Sequence, residues 1–448
     1  MCGVAGAINV PNAAKSVRLL LHGLQNRGQQ SFGLVSVDSV SMPIDFQSKG
    51  TVANDLPSTI LQQTNALTVI GHNRYATAPR SNGQRNMQPF LRLVEGQQIA
   101  IAHNGNFTNA AEIDANELSG TPFDSQSDTE RFFRLILRYY RGDLSIEESV
   151  IKALSKMKGS CSAVLALPDK LLAIRDSSGC RPLFWGRYGE GFVVASEDSA
   201  LDALGVEAIE VAPGTIVTLT DIGTAIISEP FGDEKRRFCS FEWVYFGQIT
   251  SILNGVDVAD IRRDFGRRLA TEHPVEADVI IGIPDSGTLA GMGFAEVNGG
   301  QFLLEPIIRR HDTGRTFIED DQAKRELSVD VKFGFAKKKL AGKRVVLVDD
   351  SVVRGTTSKR ITAKLRERGA AEVHWRIPSP LVTGPCHYGI ATKAGEMLAE
   401  GRSLEQMCEY IGADSIQFLS IEGFQSVIEQ HGVSRNDTCF ACMNGDYW

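Results

Sequence analysis

Cys2 directly follows Met1, and removal of that methionine would leave one residue carrying both a thiol and a free α-amine. An α-amine titrates near ~8, so it can take the thiol proton near neutral pH without help from a histidine. A small residue at position 2 also serves simply to permit methionine removal, so the pairing means little unless other groups stand ready around it. Three downstream segments supply them. GHNRYAT (Gly71 to Thr77) contains Arg74, whose guanidinium can clamp an α-carboxylate through two parallel hydrogen bonds. HNGN (His103 to Asn106) offers the Asn104 side-chain amide and the Gly105 backbone N–H, a pair suited to a tetrahedral oxyanion. SDTE (Ser127 to Glu130) reads as a capping box with Ser127 as N-cap and Glu130 at N3, which places Asp128 in a first helical turn, where it can accept an ammonium group. The implied chemistry is thiol attack on a carbonyl of an amino acid gripped at both charged ends.

A second constellation lies in GKRVVLVDDSVVRGTTSKR (Gly342 to Arg360), where an apolar run ends in Asp349 and Asp350 and a short loop leads into a helix. The carboxyl end of a strand is where open α/β sheets bind ligands. Two adjacent carboxylates suit sugar hydroxyls and a Mg2+ ion, while Arg354, Gly355, Thr356, Thr357 and Ser358 offer amide and hydroxyl donors to a phosphate at the helix start. A lone pair of aspartates is common at ordinary strand ends; an apolar strand, DD and GTTS at this spacing is not. IGIPDSG (Ile281 to Gly287) is a further strand and turn whose amides suit a diphosphate.

The elements that must position these groups differ between the two halves. Up to about residue 230, short β-type runs (Leu67 to Ile70, Gln98 to Ala102, Ser162 to Leu167, Phe192 to Ala195) are separated by Gly, Asn and Asp turns. Helical periodicity interrupts them at about Ala14 to Leu24 and Thr129 to Tyr140, which predicts antiparallel sheet with packed helices. The second half alternates strands with helices: Val279 to Ile283 then Leu289 to Val297, and Arg344 to Val348 then Thr357 to Arg368, the order of a parallel sheet. The change falls near Phe231 to Arg237, predicting domains at 2–232 and 233–448.

With 448 residues, 42% of them hydrophobic and 23% charged, the chain has material for two buried cores. A net charge of −7 argues against nucleic-acid binding, which needs a concentrated basic surface. Lys235 to Arg237 and Lys337 to Lys339 read as solvated faces, the second with a possible hand in holding anions. No apolar run reaches the roughly 18 residues that cross a bilayer, and MCGVAGAINV lacks the flank and core of a signal peptide, so the expectation is a cytoplasmic enzyme without membrane partners. Eight cysteines are too dilute for a disulfide scaffold. CFAC (Cys439 to Cys442) is a weak metal motif, because two thiols cannot close a four-ligand site. Cys161, Cys180 and Cys408 read as core residues.

The first constellation, together with LQNRGQQSFG (Leu24 to Gly33), resembles the class II glutamine amidotransferases, N-terminal-nucleophile hydrolases with an αββα sandwich. That resemblance implies Cys2, Asn104 and Gly105 as catalytic groups and Arg27, Arg74 and Asp128 as glutamine-binding ones. Asn26 and Gln30 depart from the His and Glu more frequent there. The second constellation resembles the type I phosphoribosyltransferases, which implies Ser286 with Asp349 and Asp350 as the Mg2+ site and GRTFI (Gly314 to Ile318) as the segment that closes over substrate, with His311 near the diphosphate or structural.

The two in one chain resemble the iron–sulfur-containing branch of the amidophosphoribosyltransferase family. This implies glutamine and 5-phosphoribosyl 1-diphosphate as substrates, phosphoribosylamine as product at the start of purine synthesis, an ammonia channel in the closed state, purine nucleotides as effectors, and a homotetramer. It also implies Cys239, Cys386, Cys439 and Cys442 as ligands of one [4Fe–4S] cluster, with a zinc site or four reduced thiols as the alternatives. EWVYF (Glu242 to Phe246) matches the family's entry into the second domain, with Tyr245 in an interdomain role. Gly247 to Thr250 then replace the usual Ala-Arg-Pro-Asp, and Gly334 replaces a frequent lysine, which puts domain coupling and nucleotide inhibition in question. A non-catalytic sensor of the sugar diphosphate, or an amidotransferase with another acceptor, are the competing readings.

Overall fold

The computed structural model describes residues 1–39, 42–62, 66–75, 84–142, 144–232, 235–310, 333–336, 339–390, 392 and 394–448. GRTFI, His311, Lys337, Lys338 and the end of GHNRYAT lie outside the described residues. Residues to about 230 build two antiparallel sheets. One has seven strands, with Gly3–Ile8 at its centre between Gly191–Ala195 and Thr68–Arg74. The other has six, with the long Gln97–Phe107 strand between Phe90–Val94 and Gly159–Ala166. Strand side chains alternate between faces. Val4, Ile8, Val35 and Ile70 therefore meet Ala100, Ala102, Val164 and Ala173 between the sheets, while Ala5 and Ala7 face the Ala13–Gly23 helix. The Asp128–Tyr140 helix covers the opposite face of the second sheet through Phe132, Phe133 and Ile136. The layers run helix, sheet, sheet, helix, as expected.

The second half carries a five-stranded parallel sheet in the order Gln301–Phe302, Val279–Gly282, Arg344–Val348, Glu372–Ile377, Ser415–Phe418. The helices Gly287–Asn298 and Thr356–Glu367 follow the strands that end at IGIPDSG and at the aspartate pair. Two further helices, Val258–Glu272 and Ile421–Gln430, are joined by Phe265 stacked on Phe424 at 4.0 Å. Among the described residues no helix is long and apolar enough to cross a membrane.

The halves share a core. Phe238, Trp243, Val244 and Phe246 lie in one buried cluster with Leu20 and Leu24 of the first half and Phe265 and Phe424 of the second. A large apolar side chain taken wholly out of water contributes roughly 1.5–3 kcal/mol, so this segment fastens the halves together. The strand Phe238–Cys239 pairs in parallel with Thr438–Cys439, bringing the end of the chain back to the junction.

Candidate active site

Cys2 stands at the entrance to the central Gly3–Ile8 strand, whose Gly3 pairs with Asn73. The strand partner therefore ends in Arg74 beside the thiol. The Cys2 nitrogen donates to Asn104 Oδ1 at 3.1 Å, and Sγ lies 3.9 Å from the Tyr75 carbonyl oxygen. The Met1 side chain is buried in the core, and burial pushes its amine down to about 4. Asn104 is almost wholly buried, yet its Nδ2 finds no partner among the described residues. Buried amide donors are normally paired, so Nδ2 is free to serve an acceptor brought to the thiol. At Gly105 any Cβ would collide with the Ser160 carbonyl oxygen, so only glycine fits at this point of the strand.

The HNGN end of the Gln97–Phe107 strand is fixed from beneath. His103 Nε2 lies 3.2 Å from the Ser160 carbonyl and Nδ1 3.0 Å from Thr129 Oγ1. A carbonyl can only accept, so Nε2 carries the proton and Nδ1 accepts from the threonine. Burial lowers the histidine's pKa, which keeps the ring neutral. Asp128 Oδ2 accepts from the Phe107 N–H at 2.9 Å and Oδ1 from the Thr129 N–H at 2.9 Å. Asp128 is thus tied to the strand that bears Asn104. Ser127 does cap the helix, accepting from the Thr129 N–H. The expected capping box does not form: Glu130 turns to the Asp124 and Ser125 N–H groups and Ser125 Oγ instead of reaching back to Ser127. The loop before the helix offers three donors where the N-cap offers one.

The Asp349-to-Ser358 loop follows the Arg344–Val348 strand as predicted. Ser286, from the turn after the neighbouring strand, donates to the Asp350 carboxylate, and Ser351 Oγ donates to its other oxygen at 2.5 Å. The structure thus brings Ser286 and Asp350 together with Asp349, whose Oδ1 accepts from the Asp350 N–H at 3.0 Å. Gly355 sits at φ +72°, and a Cβ there would come within 2.8 Å of Leu398, so glycine is required twice over. Thr356, Thr357 and Ser358 form the first turn of the Thr356–Glu367 helix, which has no acidic residue in that turn and no side-chain cap. Such an end suits a phosphate. Arg354 pairs with Glu396 at the rim.

Aromatic side chains join the two sites. Tyr75 meets Phe246 edge-on at 6.0 Å, and Phe246 meets Tyr245 at 5.0 Å. Burial holds the Tyr75 hydroxyl protonated, offset partly by the Arg354 charge, while burial and then Asp350 raise the Tyr245 hydroxyl. One end of the row therefore touches the thiol site and the other faces the aspartates.

A glutamine amidotransferase domain model matches residues 72–203. The amidophosphoribosyltransferase of Bacillus subtilis is 38% identical over all of this chain and 94% of its own length. The chain belongs to the amidophosphoribosyltransferase family. Chloroplastic amidophosphoribosyltransferase 1 of Arabidopsis thaliana is 41% identical over all of this chain and 78% of its own length. The solved structure of glutamine phosphoribosylpyrophosphate amidotransferase from B. subtilis, complexed with ADP and GMP, superposes with a TM-score of 0.90 at 37% identity, covering 100% of this chain and 97% of that one.

In this member of the amidophosphoribosyltransferase family Arg27 is fully buried, with Nε on Glu197 at 2.5 Å and Nη2 on Glu242 at 2.8 Å, while its Nη1 has no partner among the described residues. Burial opposes the charge, but Glu242 and Glu197 more than offset it and raise the pKa. Arg181, also fully buried, reaches Glu242 at 3.5 Å and donates through Nε to the Tyr388 carbonyl at 3.1 Å. The sequence reading does not single out Glu197, Arg181 or Tyr388; for the first two, charged residues set inside the apolar runs FVVASED and SGCRPLFW were the available signal.

The four cysteines converge at the junction. Cys239 pairs with Cys439 in register, and Cys386 and Cys442 are near enough to influence both electrostatically. A hydrogen bond from Cys180 draws the Cys239 thiol down to about 6 against burial, and the Arg181 charge helps. Burial pushes Cys386, Cys439 and Cys442 up. Among the described residues no group of three or more His, Cys, Asp or Glu is close enough for a single metal ion. A four-iron cube places each thiolate on a different iron, so its ligands stand around a larger object. The segment after Cys386 also abuts the thiol site: Asn106 Nδ2 donates to the His387 carbonyl at 2.7 Å, Ser160 Oγ to the Tyr388 carbonyl at 2.9 Å, and Gly389 lies against Gly105.

Proposed function

We infer that this chain aminates 5-phosphoribosyl 1-diphosphate with nitrogen taken from glutamine, giving 5-phosphoribosylamine, glutamate and diphosphate, the first step of purine synthesis. The single observation that carries the reading is the aromatic row Tyr75–Phe246–Tyr245, which runs from the thiol site towards the sugar-phosphate loop with Phe246 buried in the shared core. A sensor needs only the loop, whereas Cys2 held beside Asn104 supports an enzyme.

In this reading Met1 is removed and the freed Cys2 amine takes the thiol proton. The thiolate attacks the glutamine side-chain amide, and Asn104 Nδ2 with the Gly105 N–H stabilises the oxyanion. Arg74 and Asp128 hold the two charged ends of glutamine. Ammonia leaves, and water hydrolyses the thioester to glutamate. At the second site the Gly355-to-Ser358 donors hold phosphate while Asp349 and Asp350 orient the ribose. Mg2+, held by Ser286, Asp349 and Asp350, would neutralise charge on the departing diphosphate. Ammonia attacks the anomeric carbon as diphosphate leaves, and water must be kept out because it would consume the activated sugar.

The finer parts of the proposal are a glutaminase domain at 2–232 and a phosphoribosyltransferase domain at 233–448, a cytoplasmic homotetramer, and one [4Fe–4S] cluster on Cys239, Cys386, Cys439 and Cys442. Four convergent cysteines beside a buried arginine support the cluster, whose anionic thiolates Arg181 would offset. Purine nucleotides are candidate effectors, and the charges lost at Gly247 to Thr250 and Gly334 put inhibition by them in question.

The test supplies glutamine, the sugar diphosphate and Mg2+ under anaerobic conditions and measures glutamate and diphosphate. Cys2→Ala should abolish use of glutamine and leave the reaction with free ammonia. Full glutamine-dependent turnover in Cys2→Ala would remove the assigned nucleophile.

A further inference from the structure

Glu197 follows the Gly191–Ala195 strand and is wholly buried, though it belongs to neither site. Its carboxylate collects four donors: Oε1 accepts from Asn26 Nδ2 at 2.7 Å and Arg27 Nε at 2.5 Å, Oε2 from the Gln248 N–H at 2.8 Å and Ser251 Oγ at 2.8 Å. These come from two places far apart in sequence. Asn26 and Arg27 lie in the turn after the first helix, and Gln248 and Ser251 in the segment just past the aromatic row. Asn26 reinforces the link with a second bond to the Phe246 carbonyl at 2.8 Å. The neighbouring residues extend it: Ser196 Oγ accepts from the Val4 N–H at 2.9 Å, on the strand that starts at Cys2, and Asp198 Oδ2 accepts from the Ile252 N–H at 2.8 Å.

Gly247 and Gln248 belong to the stretch where this chain leaves the family pattern, and Asn26 is a second departure. Both meet on Glu197. A Cβ at Gly247 would come within 2.8 Å of the Glu242 carbonyl and 2.7 Å of Leu253, so the altered segment is fitted closely to its surroundings. Donation by a backbone N–H and a short hydroxyl does the work of fastening here without the charged pair lost from the segment.

We propose that Glu197 is a positioning residue that holds the thiol strand and the segment carrying Tyr245 and Phe246 in register, so that ammonia released at Cys2 reaches the sugar site instead of bulk water. A residue that only stabilised the fold would affect both half-reactions together. One that aligns the two sites affects their coupling. The proposal rests on the amidotransferase reading above.

The experiment measures glutamate and diphosphate formed from glutamine, sugar diphosphate and Mg2+, and separately the diphosphate formed with ammonium chloride, in native enzyme, Glu197→Gln and Asn26→Ala. Displacing reacting groups by about 1 Å costs on the order of 100-fold, so even partial loss of register should be visible. Expected for Glu197→Gln are a glutamate-to-diphosphate ratio about threefold or more above native and an ammonia-dependent rate within about twofold of native, by analogy with that sensitivity. Asn26→Ala, which keeps every charge and carries the test if Glu197→Gln folds poorly, should raise the ratio in the same direction by less. A native ratio in folded Glu197→Gln and Asn26→Ala, or ammonia-dependent and glutamine-dependent rates falling in parallel, would overturn the proposal. Native enzyme that forms no diphosphate from glutamine yet does so from ammonia would instead overturn the reading on which it rests.

Discussion

Asn104→Ala tests the thiol site most directly, because the residue has two separable tasks. Its Oδ1 holds the Cys2 nitrogen at 3.1 Å, and its Nδ2 is buried with no partner among the described residues. Loss of one preorganised oxyanion donor costs about 100- to 1000-fold in kcat, or ~2.7–4 kcal/mol. The Gly105 N–H remains, so turnover should fall into that range rather than vanish. Loss of Oδ1 leaves the Cys2 nitrogen short of an acceptor, a penalty of about 1–3 kcal/mol in stability if no water replaces it. A melting curve separates that effect from catalysis. Asn104→Asp keeps an acceptor for the Cys2 nitrogen but gives no donor to the oxyanion, so it should be as slow as the alanine variant. The assay follows glutamate release, with ammonia-dependent diphosphate release as the internal control, since the Asp349-to-Ser358 loop draws on separate strands. Glutaminase activity within about threefold of native in folded Asn104→Ala would refute the oxyanion assignment, the predicted loss being at least about 100-fold.

Cys386→Ser should abolish bound iron, about four atoms per chain in the anaerobically prepared native protein, together with visible absorption. It should also slow glutamine hydrolysis more than the ammonia reaction, because residues 387–389 support Gly105 and Asn106; native protein carrying zinc and no iron would sink the cluster assignment. Glu130 gives an acid-side signature. Burial opposes its charge, but the Ser125 hydroxyl, the Asp124 and Ser125 N–H groups and Arg92 prevail and lower its pKa from 4.5. Its contribution to stability is therefore complete above about pH 4.5 and is lost as pH falls through the lowered native value. Glu130→Gln should melt earlier than native near neutral pH and show a shallower decline in Tm below pH 4.5; parallel acid profiles for the two proteins would contradict this.

The sequence by itself determined the groups whose meaning is local. The aspartate pair ends its strand at Val348, and Gly355 opens the following helix because hydrophobic alternation, a positive φ and a helix start are all encoded within a few residues. The Ser127 N-cap was legible for the same reason. Only the tertiary structure decided what long-range burial controls. Arg27 meets Glu197 across 170 positions, and Asn106 meets the His387 carbonyl across 281. Glu130 forsook the capping box for a loop that the local pattern does not rank above it. The pairing of Cys239 with Cys439 likewise required two distant strands to share one edge. A buried charge accepts whichever partners remain after water is excluded, and which partners those are is settled only when every layer has packed.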